Sequence, residues 1–163
     1  MIKKISIAIL IILIAIQFIP YEKNESANYE FDISKSYNIP DNVQTIFKNA
    51  CNDCHTNQTI YPWYSQIEPV GYWLNSHVTD GKRHLNFSEF TNRPLTIQYH
   101  KLEEVVEVME EKEMPLDSYT NFGLHPEANL SDEEREILIN WAKEQMAYLK
   151  ATYPADSLVR KRN

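Results

Sequence analysis

The stretch Cys51-Asn52-Asp53-Cys54-His55 decides how the rest of the chain is interpreted. Two cysteines stand three positions apart, and a histidine directly follows the second one. This is the C-x-x-C-H pattern through which haem is attached covalently. Each thiol can add across one vinyl group of haem, and the adjacent His55 then lies under the iron as its proximal ligand. The motif therefore predicts a single haem c, bound through Cys51, Cys54 and His55.

The two cysteines could also serve a redox pair or a zinc site. A C-x-x-C redox pair is expected after a strand and before a helix, whereas a helical pattern precedes Cys51. A zinc site needs two more soft ligands, and the chain has no second cysteine pair. A short motif can also occur by chance. An export-type segment at the N-terminus favours haem, because c-type haem is attached outside the cytoplasm.

Residues 1–20 have the organisation of an export signal. Lys3 and Lys4 form a basic head, and residues 5–19 are almost entirely apolar. Fifteen helical residues span about 22 Å, short of the roughly 30 Å hydrocarbon core, which favours a cleaved signal peptide. No pair of small residues follows at the cleavage spacing, which instead favours an uncleaved membrane anchor. With the lysines in the cytoplasm, the domain is expected on the periplasmic side of the cytoplasmic membrane, anchored there or soluble after cleavage.

The rest of the chain divides into three parts. Residues 21–40 are polar and aperiodic and predict a tether, residues 41–153 form the predicted haem c-binding domain, and residues 154–163 form a C-terminal tail. Glycine occurs only three times, and apolar residues recur mostly at helical spacing. This pattern predicts an all-α fold rather than a sandwich or barrel.

Apolar periodicity predicts four helices, over about 41–50, 70–78, 96–111 and 132–153. Asp80-Gly81 is expected to end the second helix, and Ser131 with Glu134 forms a capping box at the start of the last. The second helix places five residues on one face that we expect to point inward: Val70, Trp73, Leu74, His77 and Val78.

The distal ligand of the iron is predicted to be Met114. It lies sixty residues after Cys54, in a loop whose backbone is restricted by Pro115. A thioether sulfur is a soft ligand that raises the potential of a His-ligated haem. Met114 could equally pack as an ordinary loop hydrophobe. His77 is the alternative distal ligand, although a lone histidine on an apolar helix face is more often a satisfied core residue.

The formal charge of the chain is −7, and without Lys3 and Lys4 it is −9. Nucleic acid is therefore excluded as a partner, because phosphate binding needs a basic surface. An acidic surface favours a redox partner with a basic docking patch, since complementary charge speeds encounter. The same charge could also serve solubility alone.

Several motifs together resemble the bacterial haem-binding domain family of envelope proteins, over about 43–141. They are the run from Cys51 to Thr59 with Tyr61-Pro62-Trp63-Tyr64, His84-Leu85-Asn86-Phe87-Ser88-Glu89-Phe90, Glu113-Met114-Pro115-Leu116, and His125-Pro126 followed by Leu130-Ser131 and Trp141. The resemblance implies covalent haem on a small cytochrome c-like helical domain, with residues 61–90 as a long aromatic loop insertion. It is consistent with Met114 as distal ligand.

The function predicted from these features is one-electron transfer at the outer face of the cytoplasmic membrane. A haem-based sensor or small-ligand-binding module is the first alternative, in which Met114 is absent from the iron or is displaced by a ligand. A haem subunit of a larger oxidoreductase, recruited through the aromatic loop, is the second. A stand-alone enzyme is not expected, because nothing else in the chain resembles a catalytic centre.

Overall fold

The regular structure of the chain is helical. The computed structural model describes residues 1–159, with only the backbone of Phe122. Within these residues there is no strand beyond an isolated bridge between Glu25 and Gln58. The all-α prediction is therefore confirmed. The α-helices are α1 (Ile2–Ile16), α2 (Asp41–Ala50), α3 (Asn52–His55), α4 (Val70–His84), α5 (Leu95–Glu110), α6 (Asp117–Thr120) and α7 (Asp132–Thr152). The predicted tail over 154–163 lies outside the described residues from position 160 onward.

The core forms where α5 packs along α7 and where α2 contacts α7. Each helix presents one apolar stripe to it: Val43 and Phe47 on α2, Leu102 on α5, Leu138 and Leu149 on α7, none more than 5% exposed. Burying a side chain of this size contributes about 1.5–3 kcal/mol. The stripe on α2 thus fixes the helix that leads directly into Cys51.

Helix α7 begins at the predicted capping box. The Ser131 side chain accepts a hydrogen bond from the Glu134 amide at 3.2 Å, and the Ser131 amide donates to a Glu134 carboxylate oxygen at 2.8 Å. Two backbone amides that have no partner inside the helix are satisfied in this way. The capping-box prediction is confirmed.

Helix α4 differs from its prediction in length and in orientation. It continues through Gly81 to His84. Val78 is 2% exposed as expected, but Val70 is 38% and Trp73 is 49% exposed. The predicted end of the helix is therefore wrong, and so is the inward orientation predicted for Val70 and Trp73. The reason is that the elements packed most closely on α4 are short, α3 and the turn at Trp63–Gln66, so a narrow stripe is enough to cover it.

Residues 21–40 pack against the helices instead of forming a free tether. Ile33 and Tyr37 are 2% and 4% exposed and belong to the core. The segment is also bound to the residues after the cysteine motif: the Ala27 amide donates to the Asn57 carbonyl, and the Thr59 amide donates to the Asn24 carbonyl. Such irregular packing has no sequence period by which it could be recognised.

Helix α1 forms within the apolar N-terminal segment. It covers 15 residues, a length of about 22 Å. In the described part of the chain, no helix combines the length and apolar character needed to cross a membrane. The membrane-spanning anchor predicted for residues 1–20 is therefore not supported.

Candidate haem site

The cysteine motif forms a single helical turn at the end of α2. The backbone leaves α2 at Cys51, and α3 follows immediately. The Cys51 carbonyl accepts hydrogen bonds from the amides of Cys54 at 3.1 Å and His55 at 2.9 Å. Because these bonds close one turn, both thiols and the imidazole project from the same short stretch of rigid backbone.

Both cysteines are free thiols, and their surroundings keep them neutral. Burial raises the pKa of Cys51 to about 12, and Cys54 adds to this effect. Burial likewise raises the pKa of Cys54 to about 11, with a further contribution from Asp53. Redox-active cysteines have a lowered pKa, because the thiolate is the reactive form. The described residues also contain no group of three or more His, Cys, Asp or Glu side chains that could hold a metal ion. These observations disfavour a redox pair and a zinc site.

His55 is oriented by the end of α4. Its Nδ1 lies 2.9 Å from the carbonyl oxygen of Leu85, the first residue after the helix. A carbonyl can only accept, so Nδ1 carries the proton and Nε2 keeps its lone pair for a metal ion. Burial lowers the pKa of His55, while hydrogen bonds to the Leu85 and Gly81 carbonyls act in the opposite direction. A neutral imidazole with one nitrogen held and the other available fits the proximal ligand of haem iron.

Buried Asn57 and half-buried Asn86 join the chain after His55 to the chain after Leu85. The Asn57 side chain accepts a hydrogen bond from Asn86 at 2.9 Å, and its own amide group donates to Glu89 at 3.0 Å. The Asn57 backbone amide donates to the Ser88 hydroxyl at 3.1 Å. Asn57 is 7% exposed. The residues after His55 and after Leu85 are thus joined, which fixes the distance between imidazole and acceptor.

Sequence reasoning did not identify Leu85, Asn57 or Asn86 as site residues. All three stand inside the motifs that carry the family resemblance. The signal that could have found the two asparagines is their position. Asn57 follows His55 by two residues, and Asn86 follows Leu85 by one. Nothing in the sequence shows that they meet across 29 positions.

Aromatic rings connect this turn to the core. Phe47 of α2 stacks on Phe87 with ring centroids 4.5 Å apart and packs edge-on against Trp141 of α7 at 5.1 Å. The His55 ring lies 6.3 Å from Phe87. Movement of the His55 ring is therefore resisted by the packing of α2 against α7.

Met114 lies in the loop between α5 and α6. Its side chain is half-buried against the hydrophobic core, and its carbonyl accepts a hydrogen bond from the Arg135 guanidinium at 2.6 Å. The same loop returns to the cysteine motif five residues later, where the Tyr119 hydroxyl donates to the Asp53 carboxylate at 2.8 Å. The predicted distal ligand is thus held from α7 on one side and from the motif on the other.

Tyr119 is part of a group of polar and aromatic residues beside the motif, which we call the Asp53 cluster: Asp53, Tyr64, Tyr119 and His125. The rings of Tyr119 and His125 stack at 4.0 Å and 11°. His125 Nε2 lies 2.5 Å from the Tyr64 hydroxyl. Burial raises the pKa of both tyrosines, with Asp53 contributing at each. The cluster gives the aromatic stretch 61–90 one structural role, because Tyr64 supports the loop that begins at Met114.

His77 and His100 have partners of their own. His77 packs against Trp73 of the same helix with ring centroids 4.5 Å apart, and its Nδ1 lies 2.9 Å from the Trp73 carbonyl. His100 lies beside the carboxylates of Glu103 and Glu104. His77 is half-buried and lies on the partly exposed side of α4, rather than on the buried stripe where it was predicted.

A cavity of about 590 Å³ lies beside the helical turn formed by the cysteine motif. The residues around it include Asn52, Asp53 and Thr56 of the motif region, but none of the predicted haem or iron ligands. Residues of α2 and residues from 29–39 also line it. The cavity is therefore not the space defined by the thiols and the imidazole.

These features define a class: an all-helical domain whose free thiols and oriented imidazole suit one haem. Residues 11–144 match the model of a family described as the haem-binding domain. The chain belongs to this family, and the resemblance seen in its motifs is confirmed. Haem is accordingly its cofactor. Comparison with curated proteins and with solved structures finds no match.

Proposed function

We propose that this haem-binding domain is a single-haem c-type cytochrome that carries one electron between partners outside the cytoplasm. Cys51 and Cys54 hold the haem through thioether bonds, His55 is the proximal ligand, and Met114 is the distal ligand. One observation carries the proposal. An imidazole fixed through Nδ1 by the Leu85 carbonyl shares a single helical turn with two neutral thiols.

The bound haem supplies a one-electron ferric–ferrous couple, and the protein sets its potential. The Leu85 carbonyl makes the His55 imidazole a better electron donor, as acceptors behind ligating histidines generally do. The last carbonyls of α4 also lie at the negative end of its helix dipole. Both effects favour ferric iron, whereas the Met114 thioether favours the ferrous state.

Two features support a carrier rather than a module whose distal ligand is displaced. Met114 is held through its carbonyl by Arg135, and its loop is bound to Asp53 through Tyr119. An electron carrier gains from ligands that remain in place in both oxidation states, because little rearrangement then accompanies electron transfer.

The net charge of the chain supports the proposed kind of redox partner. The N-terminal segment supports the proposed location outside the cytoplasm. Without Lys3 and Lys4 the chain carries −9, which suits a redox partner with a basic docking patch. The basic head followed by an apolar segment suits export across the cytoplasmic membrane. Covalent haem attachment on the far side of that membrane agrees with such a route.

The test is covalent attachment combined with a redox titration. In a host that matures c-type cytochromes, haem should stay with the denatured polypeptide through acid–acetone extraction, and the titration should follow a reversible one-electron curve. The variant Cys51→Ala/Cys54→Ala should lose covalent haem. Quantitative extraction of haem from the wild-type protein, or a titration requiring more than one electron, would refute the proposal.

A further inference from the structure

We infer that Gly81 is a positioning residue for haem attachment at Cys54. Its missing side chain is what allows α4 to lie directly against the backbone of that cysteine. The inference rests on the proposed function, because it concerns the thioether bond that this function requires.

The contact between the two residues leaves no room for a side chain. A Cβ atom on Gly81 would lie 2.7 Å from the Cys54 carbonyl oxygen, 3.0 Å from the Cys54 Cβ and 3.3 Å from the Cys54 carbonyl carbon. Two of these three atoms are backbone. They belong to a one-turn helix closed by its own hydrogen bonds, so a flexible side chain cannot relieve the clash by rotating away.

No other requirement explains a glycine at this position. Gly81 lies inside α4 and has an ordinary helical backbone, so it does not need the left-handed conformation that favours glycine. Glycine costs about 1 kcal/mol relative to alanine inside a helix. A glycine that lowers helix stability and is not required by the backbone conformation indicates that another stretch of backbone approaches closely at this position.

The same stretch of α4 supports Cys54 at one end of the attachment site and His55 at the other. The Gly81 carbonyl accepts a hydrogen bond from the Leu85 amide at 2.9 Å, and Leu85 in turn supplies the acceptor for His55. A displacement of Cys54 from Gly81 therefore moves the thiol relative to the imidazole. Attachment is sensitive to this movement, because a vinyl group has a fixed position on a ring whose iron is bound by His55.

The bond concerned forms by addition. The S–H group of Cys54 adds across the C=C bond of one vinyl group, sulfur bonding to one carbon and hydrogen to the other. No atom leaves, and no further reactant is consumed. The Cys54 sulfur must only be within reach of the vinyl carbon while Cys51 and His55 hold the haem in place.

The chain offers a matched control for Gly81→Ala in the same helix. At Gly71 a Cβ atom would crowd the Ser65 carbonyl oxygen and would lie 2.7 Å from Glu68 Oε1. Gly71→Ala thus causes at least as much crowding as Gly81→Ala, but against residues 65–68 instead of against Cys54. Cys54→Ala supplies the spectrum of a haem attached through Cys51 alone.

The first measurement is made on holoprotein by peptide mapping and the pyridine haemochrome spectrum. Gly81→Ala should leave Cys54 unreacted in most molecules and shift the spectrum toward that of Cys54→Ala, as an unreacted vinyl group does. Gly71→Ala should keep both thioether bonds and show only a lower thermal midpoint. Adding Gly81→Ala to Cys54→Ala should change attachment no further.

A second measurement covers the case in which Gly81→Ala does not accumulate with haem. Apoprotein made without attachment is alkylated with iodoacetamide, and the rates at the two cysteines are compared. Gly81→Ala should react several-fold faster at Cys54 than the wild type does, with Cys51 little changed. Equal acceleration at both cysteines would show general unfolding and would overturn the inference.

The inference and the proposed function fail in different ways. If Gly81→Ala has two intact thioether bonds and a wild-type spectrum, the inference is overturned and the proposed function is unaffected. Equal loss of attachment in Gly81→Ala and Gly71→Ala does the same. A wild-type protein without any thioether bond overturns the proposed function, and the inference falls with it.

Discussion

In the proposed cytochrome, Met114 decides whether the haem iron has a free coordination position. A methionine bound opposite His55 gives six ligands in both oxidation states, so a small molecule finds no vacancy. Its carbonyl accepts a hydrogen bond from Arg135, which fixes the backbone at this residue. The identity of the distal ligand is therefore a question about one side chain.

Changing Met114 to Ala should open the iron to carbon monoxide. The weak far-red sulfur-to-iron band of the ferric protein should disappear. The potential should also fall, on the order of 0.1 V, because axial ligands tune haem over a range of about 0.8 V. Absorption spectra with and without carbon monoxide, together with a redox titration, measure all three effects.

His77→Ala is the matched control, since His77 is the alternative ligand. Its ring packs on Trp73, so its loss should leave the far-red band in place. If the wild-type protein binds carbon monoxide readily, and Met114→Ala changes neither the spectrum nor the potential, the result favours a sensor. Loss of six-coordination in the His77 variant alone would indicate two histidine ligands and a lower-potential carrier.

At the level of elements, the loop from Met114 to α7 depends on short helices rather than on a large buried surface. Helix α6 has four residues, and its Tyr119 makes the hydrogen bond to Asp53. One turn of helix contributes little stability alone. The bond to Asp53 and the stacking on His125 are therefore major constraints on this segment.

Tyr119→Phe should loosen the distal loop while keeping the stacked ring. Loss of a hydrogen bond to a carboxylate costs about 1.5 kcal/mol, which is roughly a tenfold change in the population of open states. Carbon monoxide should then bind the ferrous protein about tenfold faster. Flash photolysis or rapid mixing measures this rate.

The control for Tyr119 is Tyr148→Phe. Tyr148 lies on α7 with 51% of its surface exposed, and its hydroxyl should not affect the loop. Equal rates for wild type, Tyr119→Phe and Tyr148→Phe would show that the Asp53 cluster does not govern access to the iron.

For the whole molecule, the folded unit begins before the predicted domain boundary at residue 41. Ile33 and Tyr37 are buried in the core, and the Tyr37 hydroxyl donates to Gln98 of α5 at 2.5 Å. Residues 24–27 are also bound to the chain just after the cysteine motif. The N-terminal segment therefore stabilises the turn that carries Cys51, Cys54 and His55 as well as the core.

A chain that begins at Tyr21 should fold, whereas one that begins at Asp41 should not fold stably. Loss of two large buried side chains costs about 2–5 kcal/mol each. The total stability of a domain is only about 5–15 kcal/mol. Thermal unfolding followed by circular dichroism compares the two. Equal midpoints would show that residues 21–40 are a tether after all.

Features that depend on neighbouring residues could be predicted from the amino-acid sequence. The two thiols and the imidazole lie within five consecutive positions, so one helical turn brings them together in any fold. The all-helical class followed from apolar periodicity, and the start of α7 followed from Ser131 and Glu134, which are three positions apart. In each case the interacting groups are joined by a short stretch of chain.

The distant residues that complete the site depend on tertiary packing. Leu85 is the acceptor of His55 because α4 ends beside α3, and Gly81 meets Cys54 because the same two helices approach closely. The packing of residues 21–40 and the bond from Tyr119 to Asp53 also join remote positions. Such contacts are set by which elements meet, and the apolar period of one helix does not identify the element that packs on it.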